Sequence, residues 1–149
     1  MLRLWVFLHF GGFVLWLGGG LAVMFLGIWG RREERATLGT VTRLQAALYG
    51  TLVGPGVLIT VMSGVALTFA AMGAPEPPSA WLMVMQGAGL LAAAVVFFVG
   101  WPTARRLSRT PPTGETAALF DALRRRQTVT GPIAGTLGLL ALLAAAMLR

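Results

Sequence analysis

The chain has no cysteine and no lysine. Without cysteine there is no disulfide framework, no thiolate metal site and no redox signal about compartment. Without lysine, all twelve basic residues are arginines. Histidine and tyrosine occur once each, as His9 and Tyr49, and only five residues are acidic. No Ser/His/Asp or Cys/His constellation can be assembled from this inventory, so a general acid–base catalyst is not expected. Charge is scarce overall: 11% of residues are charged, roughly half the share of a soluble domain.

Apolar residues fill the space that charge leaves. They make up 56% of the 149 residues, and the mean hydropathy is +0.77. Four segments carry no Asp, Glu, Lys or Arg: Leu4–Trp29, Leu44–Met72, Ala80–Trp101 and Val129–Leu148. Each has the roughly 20 residues that a membrane-crossing helix needs. Backbone groups in hydrocarbon must be satisfied within the segment, so all four are expected to be helices. The first segment is too long for the apolar core of a signal peptide, and Arg and Glu follow it rather than a small-residue cleavage site.

The arginines set the expected orientation. Arg31, Arg32, Arg35 and Arg43 form one cluster; Arg105, Arg106, Arg109, Arg124, Arg125 and Arg126 form the other. Both fall on the same side of a four-span topology, which the positive-inside rule makes cytoplasmic, with both termini periplasmic. The loop Gly73–Ser79 holds one acid, Glu76, and no base, as suits the outer side. Trp5 and Trp81 are placed to mark the outer boundary, and Trp29, Trp101 and Tyr49 the inner one. The expected fold is an all-α integral membrane protein: one domain, an antiparallel four-helix bundle with two Arg-rich cytoplasmic loops in a bacterial inner membrane. The net charge of +7 does not imply a nucleic-acid partner, because the arginines flank apolar spans instead of lining a groove. Arg31, Arg32, Arg35, Arg105, Arg106, Arg124, Arg125 and Arg126 are placed for anionic lipid headgroups. In the second loop Thr113 is a candidate helix cap, with Glu115 in the first turn.

Twenty glycines point to close helix packing, since small residues let backbones approach in lipid. Gly12, Trp16 and Gly20 recur at spacings of four on the first span; Gly50 and Gly54 do so on the second. These faces suit packing within the chain, a homodimer, or contact with other membrane subunits. Pro55 and Pro132 each free a carbonyl four residues earlier, at Thr51 and Thr128, and predict kinks. Trp29 before Arg31-Arg32, echoed by Trp101 before Arg105-Arg106, and Gly54-Pro55, echoed by Gly131-Pro132, allow a duplicated hairpin, with chance recurrence as the alternative.

The remaining chemistry gathers at the outer end. His9 lies one turn below Trp5, and Met72, Met83 and Met85 are expected at the same depth. Imidazole with thioether can ligate haem iron or Cu(I); equally, methionine fills gaps and a lone histidine can bond a backbone carbonyl. A membrane accessory subunit without a cofactor and a haem b (or copper) protein using His9 both follow from these residues. The stretch from His9 through Gly11-Gly12 and Trp16 to Gly18-Gly19 resembles the first span of a group of four-helix bacterial membrane proteins. These include the copper-resistance protein D domain, the HemJ-type protoporphyrinogen oxidases and a family of predicted integral membrane proteins. Pro55-Gly56 followed by Ser63-Gly64 is similar too. The resemblance runs loosely over the whole chain and implies the four-helix fold. It would place His9 where the HemJ-type enzymes hold a histidine toward haem; the lysine those enzymes also depend on has no counterpart here.

Overall fold

A computed structural model describes residues 1–72 and 79–148 of the chain. They form four long helices and, among the described residues, no strand. We number them α1 (Leu2–Trp29), α2 (Arg35–Ala71), α3 (Ala80–Ser108) and α4 (Gly114–Ala146). All four are long and apolar enough to cross a membrane. The shortest has 28 residues, about 42 Å of helix at 1.5 Å per residue. The loop Gly73–Pro78, expected on the outer side, lies outside the described residues.

Three helices exceed the apolar spans that predict them. α2 begins at Arg35 rather than near Leu44, α3 continues past Trp101 to Ser108, and α4 begins at Gly114, fifteen residues before Val129. Apolarity marks the part of a helix that sits in hydrocarbon; good helix formers such as Arg, Leu and Ala carry the helix onward into the interface. The second arginine region is therefore mostly helix, turning only around Arg109–Thr113. Thr113 precedes the first turn of α4, with Glu115 inside that turn, but the threonine side chain makes no capping bond. Ser79 does cap: its hydroxyl accepts the Leu82 N–H at 3.2 Å at the start of α3.

α1 packs antiparallel on the Gly54–Ala71 part of α2, and the Ala80–Ala94 part of α3 packs on α4. The two pairs join chiefly near the arginine-bearing turns, where Leu38–Leu48 of α2 meets Trp101–Ser108 of α3. The central core includes Trp16, Val53, Val57, Ala92, Val96 and Ala134. A second cluster of Leu38, Leu107, Phe120 and Leu123 closes the arginine end. The outward faces carry large apolar side chains, among them Phe10, Phe25, Phe69 and Phe98, as a lipid-facing surface requires.

Proline shapes two of the helices. Tyr49–Val53 of α2 is a π-turn leading into Gly54-Pro55, and Val95–Gly100 of α3 is another, leading into Trp101-Pro102. The Gly54 N–H reaches back to the Tyr49 carbonyl, and the Trp101 N–H to that of Val96. Each proline lacks the N–H that would close the preceding turn, and a wider turn takes up the mismatch. The expectation at Pro55 thus has its counterpart at Pro102. Pro132 sits inside α4 with no change of helix type. The π-turn before Gly54-Pro55 thus recurs before Trp101-Pro102 on the neighbouring helix, whereas Gly131-Pro132 lies in unbroken α-helix. The two π-turns face each other: a Cβ on Gly54 would overlap the Trp101 ring, and one on Gly100 would stand 3.1 Å from the Tyr49 hydroxyl. Tyr49 is buried and Trp101 half-buried, so neither joins Trp5, Trp29 and Trp81 on the exposed surface. Their rings fill the space that glycine leaves across the α2–α3 crossing.

Candidate functional site

Several of the polar groups inside the apolar segments meet on the α1–α2 seam. His9 is half-buried on α1. Its Nδ1 lies 2.9 Å from the Thr60 carbonyl and 3.2 Å from the Ser63 hydroxyl, both on α2. A carbonyl can only accept, so Nδ1 carries a proton in this bond. Ser63 donates to the Ile59 carbonyl at 2.6 Å, leaving its oxygen free to accept from the imidazole. Gly64 makes the slot for the ring: a Cβ there would stand 3.1 Å from the imidazole Cε1. The Ser63-Gly64 pair thus has a direct physical role.

Below the imidazole the two backbones nearly touch. A Cβ on Gly56 would stand 2.5 Å from the Trp16 nitrogen and 2.7 Å from the Gly12 carbonyl oxygen; one on Gly12 would meet Thr60 N and Oγ1, both at 2.8 Å. Gly19 meets Leu52 and Val53 in the same way. The buried residues of α1 are Gly12, Trp16, Gly19 and Val23, a 4-3-4 spacing. Two steps of four drift about 80° around a helix, whereas four then three holds one seam. That is why Gly19, not Gly20, packs. A methyl on Gly20 or Gly50 would meet nothing within 4 Å, so neither glycine serves packing within the chain. Gly54 does pack, against Trp101, and Pro55 beside it is half-buried. Trp16, 3% exposed, reaches across to Gly138 of α4. Farther along, Gln45 donates to the Val23 carbonyl at 2.9 Å, and Gly27 leaves room for its amide. Toward the other end Gln86 of α3 donates to the Thr68 hydroxyl of α2 at 2.9 Å.

The three methionines expected beside His9 differ in exposure. Met72 and Met83 are 69% and 64% exposed, and Met85 is half-buried. Met83 and Met85 belong to the part of α3 that packs on α4, while His9 packs on α2. Among the described residues no group of three His, Cys, Asp or Glu could hold a metal ion.

No family model, no curated protein and no solved structure matches this chain.

At the arginine end, Arg35 forms a salt bridge to Asp121 at 2.8 Å and donates through Nε to the Pro112 carbonyl at 2.6 Å. Arg35, expected among lipid headgroups, ties the α3–α4 turn to the start of α2; its partner stands 86 residues away in sequence. Arg32 lies over the Trp29 ring at 5.9 Å. The other arginines expected at headgroups make no ion pair among the described residues. One buried polar group stands apart: the amide of Gln127 on α4 has no hydrogen-bond partner for either atom. The Tyr49 hydroxyl lies beside it, but no well-aligned bond closes between them. Gln45 and Gln127 were not among the residues that the sequence singles out, and Gly19 and Gly56 stood out only within the motifs that carry the resemblance. The Pro55-Gly56 pair was the available signal for the closest approach; nothing local marks which face of a helix the glutamines take.

Proposed function

We propose that this chain is a non-catalytic accessory or scaffold subunit that packs within a larger bacterial inner-membrane complex, of respiratory or photosynthetic type. In this reading the arginine end is cytoplasmic and both termini are periplasmic, following the positive-inside rule. One observation carries it: the polar side chains within the spans are engaged in holding helices. His9 bonds Thr60, Gln45 bonds Val23, Gln86 bonds Thr68, and Thr51, Thr60 and Ser63 each bond a carbonyl of their own helix. A pump, channel or oxidoreductase would direct such groups into a shared cavity. Here they bond across seams or back to their own helix, and the apolar outer faces are left for lipid or partner helices. The test is extraction from native membranes in a mild detergent, followed by native electrophoresis. The chain is expected in an assembly much larger than 15.7 kDa. A chain that migrates alone and remains fully folded alone opposes the proposal.

One observation favours a second reading, a haem b protein. Metal-bound histidines usually donate their other ring N–H to a carbonyl or carboxylate, which fixes the tautomer. His9 has that arrangement with Thr60. Haem would then take its second axial ligand from another subunit, consistent with the resemblance of the first span to haem- and copper-associated membrane proteins. A Soret band that vanishes in His9→Ala would support it.

A further inference from the structure

We infer that the groove between α3 and α4 at the arginine end is a binding site for one anionic phospholipid. The inference rests on the chain crossing a membrane, and not on its being an accessory subunit.

The groove encloses about 580 Å³, within the roughly 300–1,000 Å³ of small-molecule sites. Its floor is apolar: Val99 of α3 with Ala118, Ala122 and Val129 of α4. Arg125 and Arg126 stand at its rim, both exposed. Asp121 also lines it and would ordinarily cancel one of those charges. Its carboxylate is held by Arg35 from α2, at 2.8 Å. The acid is thus neutralised from outside the groove, and the two rim arginines stay uncompensated.

Charge and shape together select the occupant. A guanidinium pair binds phosphate through several parallel N–H···O bonds. The floor extends to both sides of the arginines, to Ala118 and Ala122 toward the α3–α4 turn and to Val99 and Val129 toward the apolar length of α4; the acyl chains of a headgroup-bound lipid would lie on the Val129 side. Basic pockets between membrane helices at the interface are known hosts for anionic headgroups. A soluble anion would use the rim alone and leave the floor bare.

The test is native mass spectrometry of the full chain in detergent, titrated with phosphatidylglycerol, with phosphatidylcholine as the neutral comparison. The wild type is expected to retain one phosphatidylglycerol per chain in preference to phosphatidylcholine. Arg125→Gln with Arg126→Gln should weaken retention about 30-fold, the effect of two interfacial arginines. Arg43→Gln with Arg109→Gln removes equal charge from elsewhere at the same end and should leave retention unchanged. Val99→Trp fills the floor with both arginines intact and should also lower retention. Equal binding of the two lipids overturns the proposal, as does equal loss in both arginine pairs. Displacement of the lipid by millimolar inorganic phosphate, with Val99→Trp silent, would assign the rim to a free anion and overturn it too.

Discussion

Gly11 and Gly12 are adjacent, yet the same substitution should act on them in opposite directions. A methyl on Gly12 would stand 2.8 Å from the Thr60 nitrogen and Oγ1 and 2.9 Å from the Gly56 carbonyl oxygen. The Thr60 hydroxyl cannot easily swing away, because it is bonded to that same carbonyl at 2.8 Å. Relief to an ordinary contact near 3.5 Å requires α1 and α2 to part by roughly 0.7 Å. Such overpacking costs about 1–3 kcal/mol. The movement also stretches the His9–Thr60 hydrogen bond three residues away, which is worth about 1 kcal/mol. Gly12→Ala should therefore destabilise the bundle by roughly 2–4 kcal/mol. A methyl on Gly11 meets nothing within 4 Å. Gly11→Ala should be neutral or stabilising by up to about 1 kcal/mol, through reduced backbone freedom in a helix. Equilibrium unfolding in mixed micelles, followed by far-UV circular dichroism, measures both. If the two variants unfold together, or Gly12→Ala equals the wild type, the backbone contact at this seam is not real.

Other consequences are open to simple assays. The absence of cysteine gives a clean background for topology: in intact cells an impermeant thiol reagent should label Ser79→Cys and spare Ser108→Cys, and the reverse pattern would invert the proposed orientation. Gln127→Met removes a buried amide with no partner and should be neutral or stabilising by up to about 2 kcal/mol in thermal unfolding; strong destabilisation would show that Gln127 is bonded after all. The Arg35–Asp121 pair is half-exposed, so Asp121→Asn should change stability by less than about 1 kcal/mol. Arg35→Ala also loses the bond to Pro112 and should speed hydrogen exchange at Thr113–Thr116; unchanged exchange there would show that Arg35 does not hold the turn.

The four helices were legible because hydrocarbon imposes one rule along the whole length of a segment: no charge and no unsatisfied backbone. Helix ends were not: Ala117–Arg126 is built of good helix formers that happen to be charged, and Arg35–Arg43, rich in Thr and Gly, carries no local helix signal at all. Trp16 and Gly12 were legible from spacing, but choosing between Gly19 and Gly20 depends on a slow drift of the pattern around the helix that only a partner helix resolves. The π-turn at Pro55 had a local cause; that at Pro102 was hidden because the proline looked like the end of a span. His9 stood out as the one histidine of the chain. Its partners Thr60 and Ser63 were not foreseeable, since they lie 51 and 54 residues away and one of the two contacts is to backbone.

The central claim is that the polar groups of the spans hold helices together instead of performing chemistry, and His9 tests it most directly. The measurement is the absorption spectrum and unfolding midpoint of the protein purified from native membranes, as wild type and as His9→Ala. A colourless wild type, with His9→Ala less stable by about 1–2 kcal/mol for the lost bond and spectrally unchanged, is the expected result. A stoichiometric Soret band that disappears in His9→Ala would contradict the account.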